Sequence, residues 1–156
     1  MHTDPWLRRW LPLVIERAGA DPVHEIGCGT GADSATLVSS GLPLVALDMS
    51  EQVIAVAIEN VPAARFLCQD VREPFPVKPS STGVVVASLS LHYFPWAETE
   101  GLVHRVREVL RPGGVLLCRL NSTNDHHYGA SGHAAIEENY YSVKGELKRF
   151  FDRPAI

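Results

Sequence analysis

Val23-His24-Glu25-Ile26-Gly27-Cys28-Gly29-Thr30-Gly31 is a short apolar run that breaks into three glycines spaced two apart. The apolar residues predict a strand over 23–27. The glycines predict a turn without side chains that opens into a helix. Backbone free of Cβ atoms lets a ligand lie directly against main-chain N–H groups at the positive end of that helix. Glu25, two residues before the first glycine, falls at the strand's end. Taken together, these features predict a nucleotide-like cofactor at the carboxyl edge of a sheet. The residues alone also allow a plain tight turn, although three alternating glycines exceed what a turn requires.

Upstream, residues 6–19 predict a helix with Trp6, Trp10, Leu13 and Val14 on one face; Pro12 should kink it or delay its start. Gly19 and Pro22 end it. Downstream come a helix over 31–40, closed by Gly41, and a strand over 43–48 whose unbroken apolar run predicts burial on both faces. Ser50 can cap a helix over 51–60, and a strand follows over 64–68. Residues 72–82, rich in Pro and Ser, read as a surface loop. A strand over 83–89 leads to a helix over 97–111 with Leu102, Val103, Val106, Val109 and Leu110 on one face. Pro112-Gly113-Gly114 should stop that helix before a strand over 115–120. Such alternation predicts an α/β protein, doubly wound, with a mostly parallel sheet and helices on both faces. There is no internal repeat or second domain, so residues 1–156 read as one domain. Residues 121–145 are less regular, and a further helix is expected near 143–151. The pattern then looks unfinished, with strand five at an edge whose backbone groups would be unpaired. A shortened form of a longer protein, or an edge covered by a second copy as a homodimer, would account for that.

Net charge is −4, from 14 basic and 18 acidic residues, which argues against a partner recognised through phosphate charge. No stretch approaches the roughly 20 apolar residues of a membrane span. Asp4, Arg8 and Arg9 interrupt what would be the apolar region of a signal peptide. Cys28, Cys68 and Cys118 lie in or beside strands without CxxC spacing, and read as buried free thiols of a cytoplasmic protein rather than metal ligands. His126, His127 and His133 invite a metal, but adjacent histidines rarely face one ion. A polar and aromatic lid over the substrate, or a solvated loop, are the other readings, and Tyr140 and Tyr141 share them.

In an open parallel sheet, ligands bind beyond the carboxyl ends of the strands where strand order reverses. The predicted ends carry Glu25 and the glycines, then Asp48 and Met49, then Gln69, Asp70 and Val71, then Ser88 to Tyr93. These match the needs of an adenosine. Asp48 can accept from both ribose hydroxyls, and Met49 can lie against a purine. Asp70 can accept from an exocyclic amine, and the Val71 backbone can donate to a ring nitrogen. Blander roles compete: Glu25 as a buried paired acid, Asp48 as a helix cap, Asp70 as a turn residue, Met49 as core filler and His92 as a structural histidine.

The chain resembles the class I methyltransferases that use S-adenosylmethionine. The matching residues are Glu25 to Gly31, Asp48-Met49-Ser50, Gln69-Asp70-Val71, Leu89 to Phe94 and Leu110 to Gly114, in the expected order. The resemblance implies a Rossmann-like sheet, here apparently lacking the family's last two strands. It implies a loop of Gly27, Cys28, Gly29 and Gly31 that holds the methionine end of the cofactor and is ordered by Glu25. Ribose would sit on Asp48, adenine against Met49, Asp70 and Val71, with Leu89 completing the cofactor site. The acceptor would lie beyond strand four, near the catalytic candidates His92 and Tyr93, with His92 as a base or an orienting group. The implied reaction is in-line transfer of a methyl group to a small-molecule nucleophile, leaving S-adenosylhomocysteine. Strand four lacks the Asn-Pro-Pro-Tyr-like ending of enzymes that methylate DNA amines, which again excludes nucleic acid. Two alternatives remain. One is a non-catalytic subunit that binds the cofactor and activates a partner. The other is an NAD(P)-dependent oxidoreductase, since Gly27, Gly29 and Ala32 with Asp48 meet its looser pattern, though the chain leaves no room for its substrate domain.

Overall fold

A computed structural model describes residues 5–155. The main sheet has five parallel strands: β1 (Val23–Ile26), β2 (Leu44–Asp48), β3 (Arg65–Cys68), β4 (Thr82–Ser88) and β5 (Leu110–Arg119). Their order is β3-β2-β1-β4-β5. The helices are α1 (Leu11–Ala18), α2 (Ala32–Ser39), α3 (Glu51–Asn60) and α4 (Trp96–Val109). Strand side chains alternate between faces, and that alternation assigns the two layers. Val23, Leu44, Ala46, Val84 and Val86 pack with Val14, Leu37 and Ile54 from α1, α2 and α3. Ile26, Leu47, Val85 and Ala87 pack with Leu102, Val106 and Val109 of α4. Helices therefore cover both faces, and the sheet is doubly wound and Rossmann-like. Strand order reverses between β1 and β4, so a crevice opens beyond their carboxyl ends.

Pro12 marks the start of α1 instead of a kink, because a first-turn residue needs no backbone donor. A 3-10 turn, Pro5–Trp10, precedes it. At the other end of the sheet, α4 stops earlier than its apolar pattern suggests. Leu110 is already extended and pairs with Thr82; the register then jumps to Val84 opposite Val115. Pro112-Gly113-Gly114 thus form an irregularity inside β5, not a helix stop followed by a new strand.

The expected helix near 143–151 does not exist. Residues there form an antiparallel meander of β6 (Ala134–Glu137), β7 (Tyr140–Val143) and β8 (Glu146–Arg149). Lys144 (φ 51°) and Gly145 (φ 85°) make the two-residue turn whose twist suits a hairpin. The flanking Tyr140, Tyr141 and Val143 favour the pleated surface over a helix. Past the meander, Phe151 runs beside the chain leaving β5: its N–H donates to Asn121 O (2.7 Å), and its carbonyl accepts from Thr123 N (3.1 Å). Along its own length, β5 pairs with β4 alone among the described residues. Cys28 is buried and Cys118 half-buried, but Cys68 is exposed, because β3 is the outer strand. Among the described residues no helix is long and apolar enough to cross a membrane. Nor do three His, Cys, Asp or Glu side chains among them gather as a metal site.

Candidate functional site

The three glycines all have positive φ, but each serves a different need. At Gly27 (φ +67°) an added Cβ would stand 2.4 Å from Ser90 Cβ, so two strand ends meet there without a side chain between them. At Gly31 (φ +92°) a Cβ would press on Val61 and Ala57, so this residue lets α2 begin against α3. At Gly29 (φ +55°) a Cβ would meet nothing within 4 Å. The protein fills the space at the first and third glycines and leaves the second open, which is the arrangement a ligand lying on the loop requires.

The loop is tied to neighbouring strands. Gly27 and Cys28 N–H both donate to Leu47 O at the end of β2, at 2.8 and 3.0 Å. Asp48 Oδ2 accepts from Gly29 N, and Asp48 Oδ1 from Ser50 N, both at 3.1 Å. Asp48 thus shapes the loop and the entry to α3, while Ser50 Oγ accepts from Val53 N as the cap of α3. Glu25 is 2 % exposed and accepts from Ser34 Oγ of α2 at 2.5 Å. Burial lifts its carboxyl to about 8, the Ser34 bond opposes that rise, and Asp33 and Asp48 add to it. Its partner is a hydroxyl on the helix that the glycines open, not a base. Burial likewise pushes the Cys28 thiol far up, which leaves it an inert packing group.

A cavity of about 100 Å³ opens beside the loop, lined by Gly27, Asp48, Met49, Val71, Ser90 and Tyr93 among others. Met49 is 67 % exposed, which rules out core filling. Leu89 is partly exposed at the end of β4 and has φ +53°, a conformation rare for leucine. Tyr93 is half exposed on the cavity wall, and burial of its ring raises its hydroxyl pKa.

Asp70 and His92 are placed differently from expectation. Neither lines the cavity. Asp70 is gripped by Arg72, whose Nε donates to Oδ1 (3.0 Å) and Nη2 to Oδ2 (2.6 Å), while Arg72 N also donates to Oδ1 (2.9 Å). The Arg72 side-chain hydrogen bonds hold the Asp70 carboxyl below the ordinary range. His92 is 4 % exposed instead of facing an acceptor, with its ring 4.1 Å from the Tyr93 ring. Burial depresses its imidazole to about 4, with Lys148 adding a smaller push. Among the described residues its Nδ1 meets no hydrogen-bond partner. His126 and His127 lie on a 3-10 turn, with His126 Nδ1 3.0 Å from Ser131 Oγ. Tyr140 is neither lid nor solvated loop but 1 % exposed, and Tyr141 packs on Phe150.

Ser34 and Arg72 also build the site, and sequence reasoning passed over them, while Ser90 and Phe94 fell in the stretch after strand four without a role assigned. Arg72 had a signal, since a base two residues after an acid can close on it. The role of Ser90 had none, because its contact with Gly27 exists only once β1 and β4 are neighbours.

Residues 23–114 match the sequence profile of a family described as a methyltransferase domain. The chain is similar to an uncharacterised methyltransferase, sll0829, of Synechocystis sp., at 31 % identity over 110 residues, covering 69 % of this chain and 51 % of that protein. It spans about half the length of the curated relatives it matches. Its fold superposes on the PH0226 protein of Pyrococcus horikoshii OT3 with a TM-score of 0.78 at 19 % identity, covering 96 % of this chain and 76 % of that one. It also superposes on an S-adenosylmethionine-dependent methyltransferase from Mesorhizobium loti with a TM-score of 0.75 at 23 % identity, covering 97 % and 74 %. At these identities the structural likeness speaks for the fold alone.

Proposed function

We propose, because this chain belongs to the methyltransferase-domain family, that it is a class I enzyme that moves a methyl group from S-adenosylmethionine to a small-molecule nucleophile by direct in-line displacement. The observation that carries the reading is the space at Gly29, left empty between two glycines whose space the protein fills. When bound, S-adenosylmethionine supplies a methyl group on a positively charged sulfur, already activated towards a nucleophile.

The chain's own residues have to hold and orient. The turn of Gly27, Cys28, Gly29 and Gly31 leaves room for the methionine portion, and Glu25 keeps that turn in register through Ser34 and α2. Each Asp48 oxygen accepts one backbone bond, and a carboxylate oxygen has a second lone pair to offer the ribose hydroxyls. Met49 and the Val71 backbone flank the base, Leu89 closes the edge, and Asp70, held by Arg72 outside the cavity lining, fixes the turn that carries Val71. Tyr93 forms the wall towards the acceptor, and the neutral His92 ring supports it from behind. Positioning two reactants and excluding water is worth up to roughly 7–11 kcal/mol in well-oriented systems, so no obligatory proton-transfer residue is required.

Calorimetry with S-adenosylmethionine tests the site. Wild-type protein is expected to bind and Gly29→Val to lose binding while keeping its far-ultraviolet spectrum. Equal affinity in the two, or no affinity in the wild type, overturns the assignment. Incubation with methyl-labelled cofactor and a pool of small metabolites then tests turnover. Binding without label transfer favours the non-catalytic, partner-activating role.

A further inference from the structure

Three successive backbone carbonyls follow the strained Leu89 at the end of β4, and the separate meander meets all three. His92 O accepts from Arg149 N (2.6 Å), Tyr93 O from the Tyr140 hydroxyl (2.9 Å) and Phe94 O from Arg149 Nε (3.1 Å). The backbone N–H groups of α4 do not serve these carbonyls, which precede its cap, and only Phe94 O also takes a long bond (3.4 Å) from the Thr99 hydroxyl. Arg149 is 3 % exposed and fully engaged: Nη1 donates to Glu138 O (3.2 Å) and Nη2 to Glu137 Oε2 (2.5 Å). Its guanidinium lies 5.4 Å from the Trp96 ring centre and 4.8 Å from that of Tyr140. The same Glu137 oxygen accepts from Trp96 N at 2.9 Å, which pins the start of α4.

We propose that Arg149 and Tyr140 are positioning residues that set the acceptor-side wall of the cofactor site by fixing the backbone of residues 92–94. This rests on the reading of that site given above. Leu89 at φ +53° shows that the chain leaves β4 in a conformation it would not favour on its own, so the loop needs an outside hold. A planar guanidinium can satisfy one carbonyl, pair with a carboxylate and stack on rings at once, which an ammonium cannot. Only the Arg149 side of its ion pair is enclosed, Glu137 being 40 % exposed, so the pair orients the guanidinium more than it adds stability. The arrangement enforced here turns Tyr93 to the cavity and covers His92.

The test uses the whole chain with Tyr140→Phe, Arg149→Met and a control, Val143→Ala, which trims a buried meander residue that touches none of the three carbonyls. S-adenosylhomocysteine affinity is read by calorimetry, His92 by nuclear magnetic resonance of its imidazole, and stability by thermal melts. Tyr140→Phe and Arg149→Met are expected to weaken binding by about fivefold to tenfold, the worth of one hydrogen bond. Val143→Ala, although it lowers the melting temperature, should leave affinity unchanged. In Arg149→Met the His92 midpoint should rise from about 4 towards its ordinary 6.5. Wild-type-like affinity together with an unmoved His92 midpoint in both variants overturns the proposal. So does an equal loss of affinity in Val143→Ala, which would make the meander a general prop. If the wild type does not bind S-adenosylhomocysteine, the cofactor reading falls, and His92 titration decides the anchoring alone. If Arg149→Met does not fold, Tyr140→Phe carries the test.

Discussion

Gly27 lies against Ser90 so closely that a Cβ on the glycine would stand 2.4 Å from the Ser90 Cβ. Ser90 cannot swing aside without cost, because its hydroxyl donates to Ile26 O at 2.8 Å. Positive φ costs a non-glycine residue about 1–2 kcal/mol, and overpacking adds about 1–3 kcal/mol. Gly27→Ala is therefore expected to destabilise the fold by about 3 kcal/mol, and Ser90→Gly in the same chain to recover part of that. Gly29→Ala, with open space around it, should cost only about 1 kcal/mol. Urea denaturation of the four proteins decides, and equal losses at both glycines would disprove the steric account.

Asp48 holds the glycine loop and offers the remaining lone pairs outward. Asp48→Ala should weaken S-adenosylmethionine binding by about 1.5–3 kcal/mol, the range for hydrogen bonds to charged groups. Calorimetry measures this directly, and an unchanged dissociation constant would place the ribose elsewhere.

Stability should peak near pH 6.5 through three buried groups. Burial holds His24 and His92 at about 4, against 6.5 when unfolded. Between those values the unfolded chain binds protons that the folded chain refuses, so stability rises with pH. Glu25 acts in the opposite sense, its carboxyl lifted by burial to about 8 from 4.5. Its contribution is full below about pH 4.5 and is lost as pH climbs to about 8, because the folded chain alone keeps the proton. Glu25→Gln retains an acceptor for Ser34 and should flatten the decline above pH 6.5 and steepen the rise between about pH 4.5 and 6.5, where the two histidines then act unopposed. Urea midpoints across this range check it; parallel curves for both proteins would remove Glu25 as the cause.

Arg72 and Asp70 form an exposed fork whose worth to stability is small, on the order of 1 kcal/mol or less. Arg72→Ala should leave the melting temperature nearly unchanged and let the Asp70 carboxyl move upward without reaching its ordinary value, because the residue 72 N–H still donates to Oδ1. Carbon-13 detection of the carboxyl titration reads this, and an unmoved midpoint would assign the depression to another neighbour.

The parallel core was legible because its signals are local. Apolar runs such as 44–48 and the periodic face of α4 record burial directly, and Gly27, Gly29 and Gly31 record a backbone that side chains rarely adopt. The meander was not, because Tyr140 to Arg149 carry mixed apolar and charged residues, and the Lys144-Gly145 turn with its flanking aromatic and β-branched residues is a weak local signal for strands over a helix. At the site, residue types at strand ends pointed to Asp48, Met49 and Tyr93. They could not foresee that Arg72 would close on Asp70, or that β8 would cover His92.

The sequence by itself determined the order of strands and helices as far as β5, the side-chain-free loop and the carboxylates at the ends of β2 and β3. Those follow from backbone sterics and from the periods of burial, which neighbouring residues settle among themselves. Tertiary structure alone decided that Gly27 is filled and Gly29 open, that Glu25 is buried against Ser34 with its carboxyl pKa raised, and that Arg149 grips the loop after β4. Each of these depends on groups distant in the chain meeting away from water, and their pairing and protonation are set only once the sheet has closed.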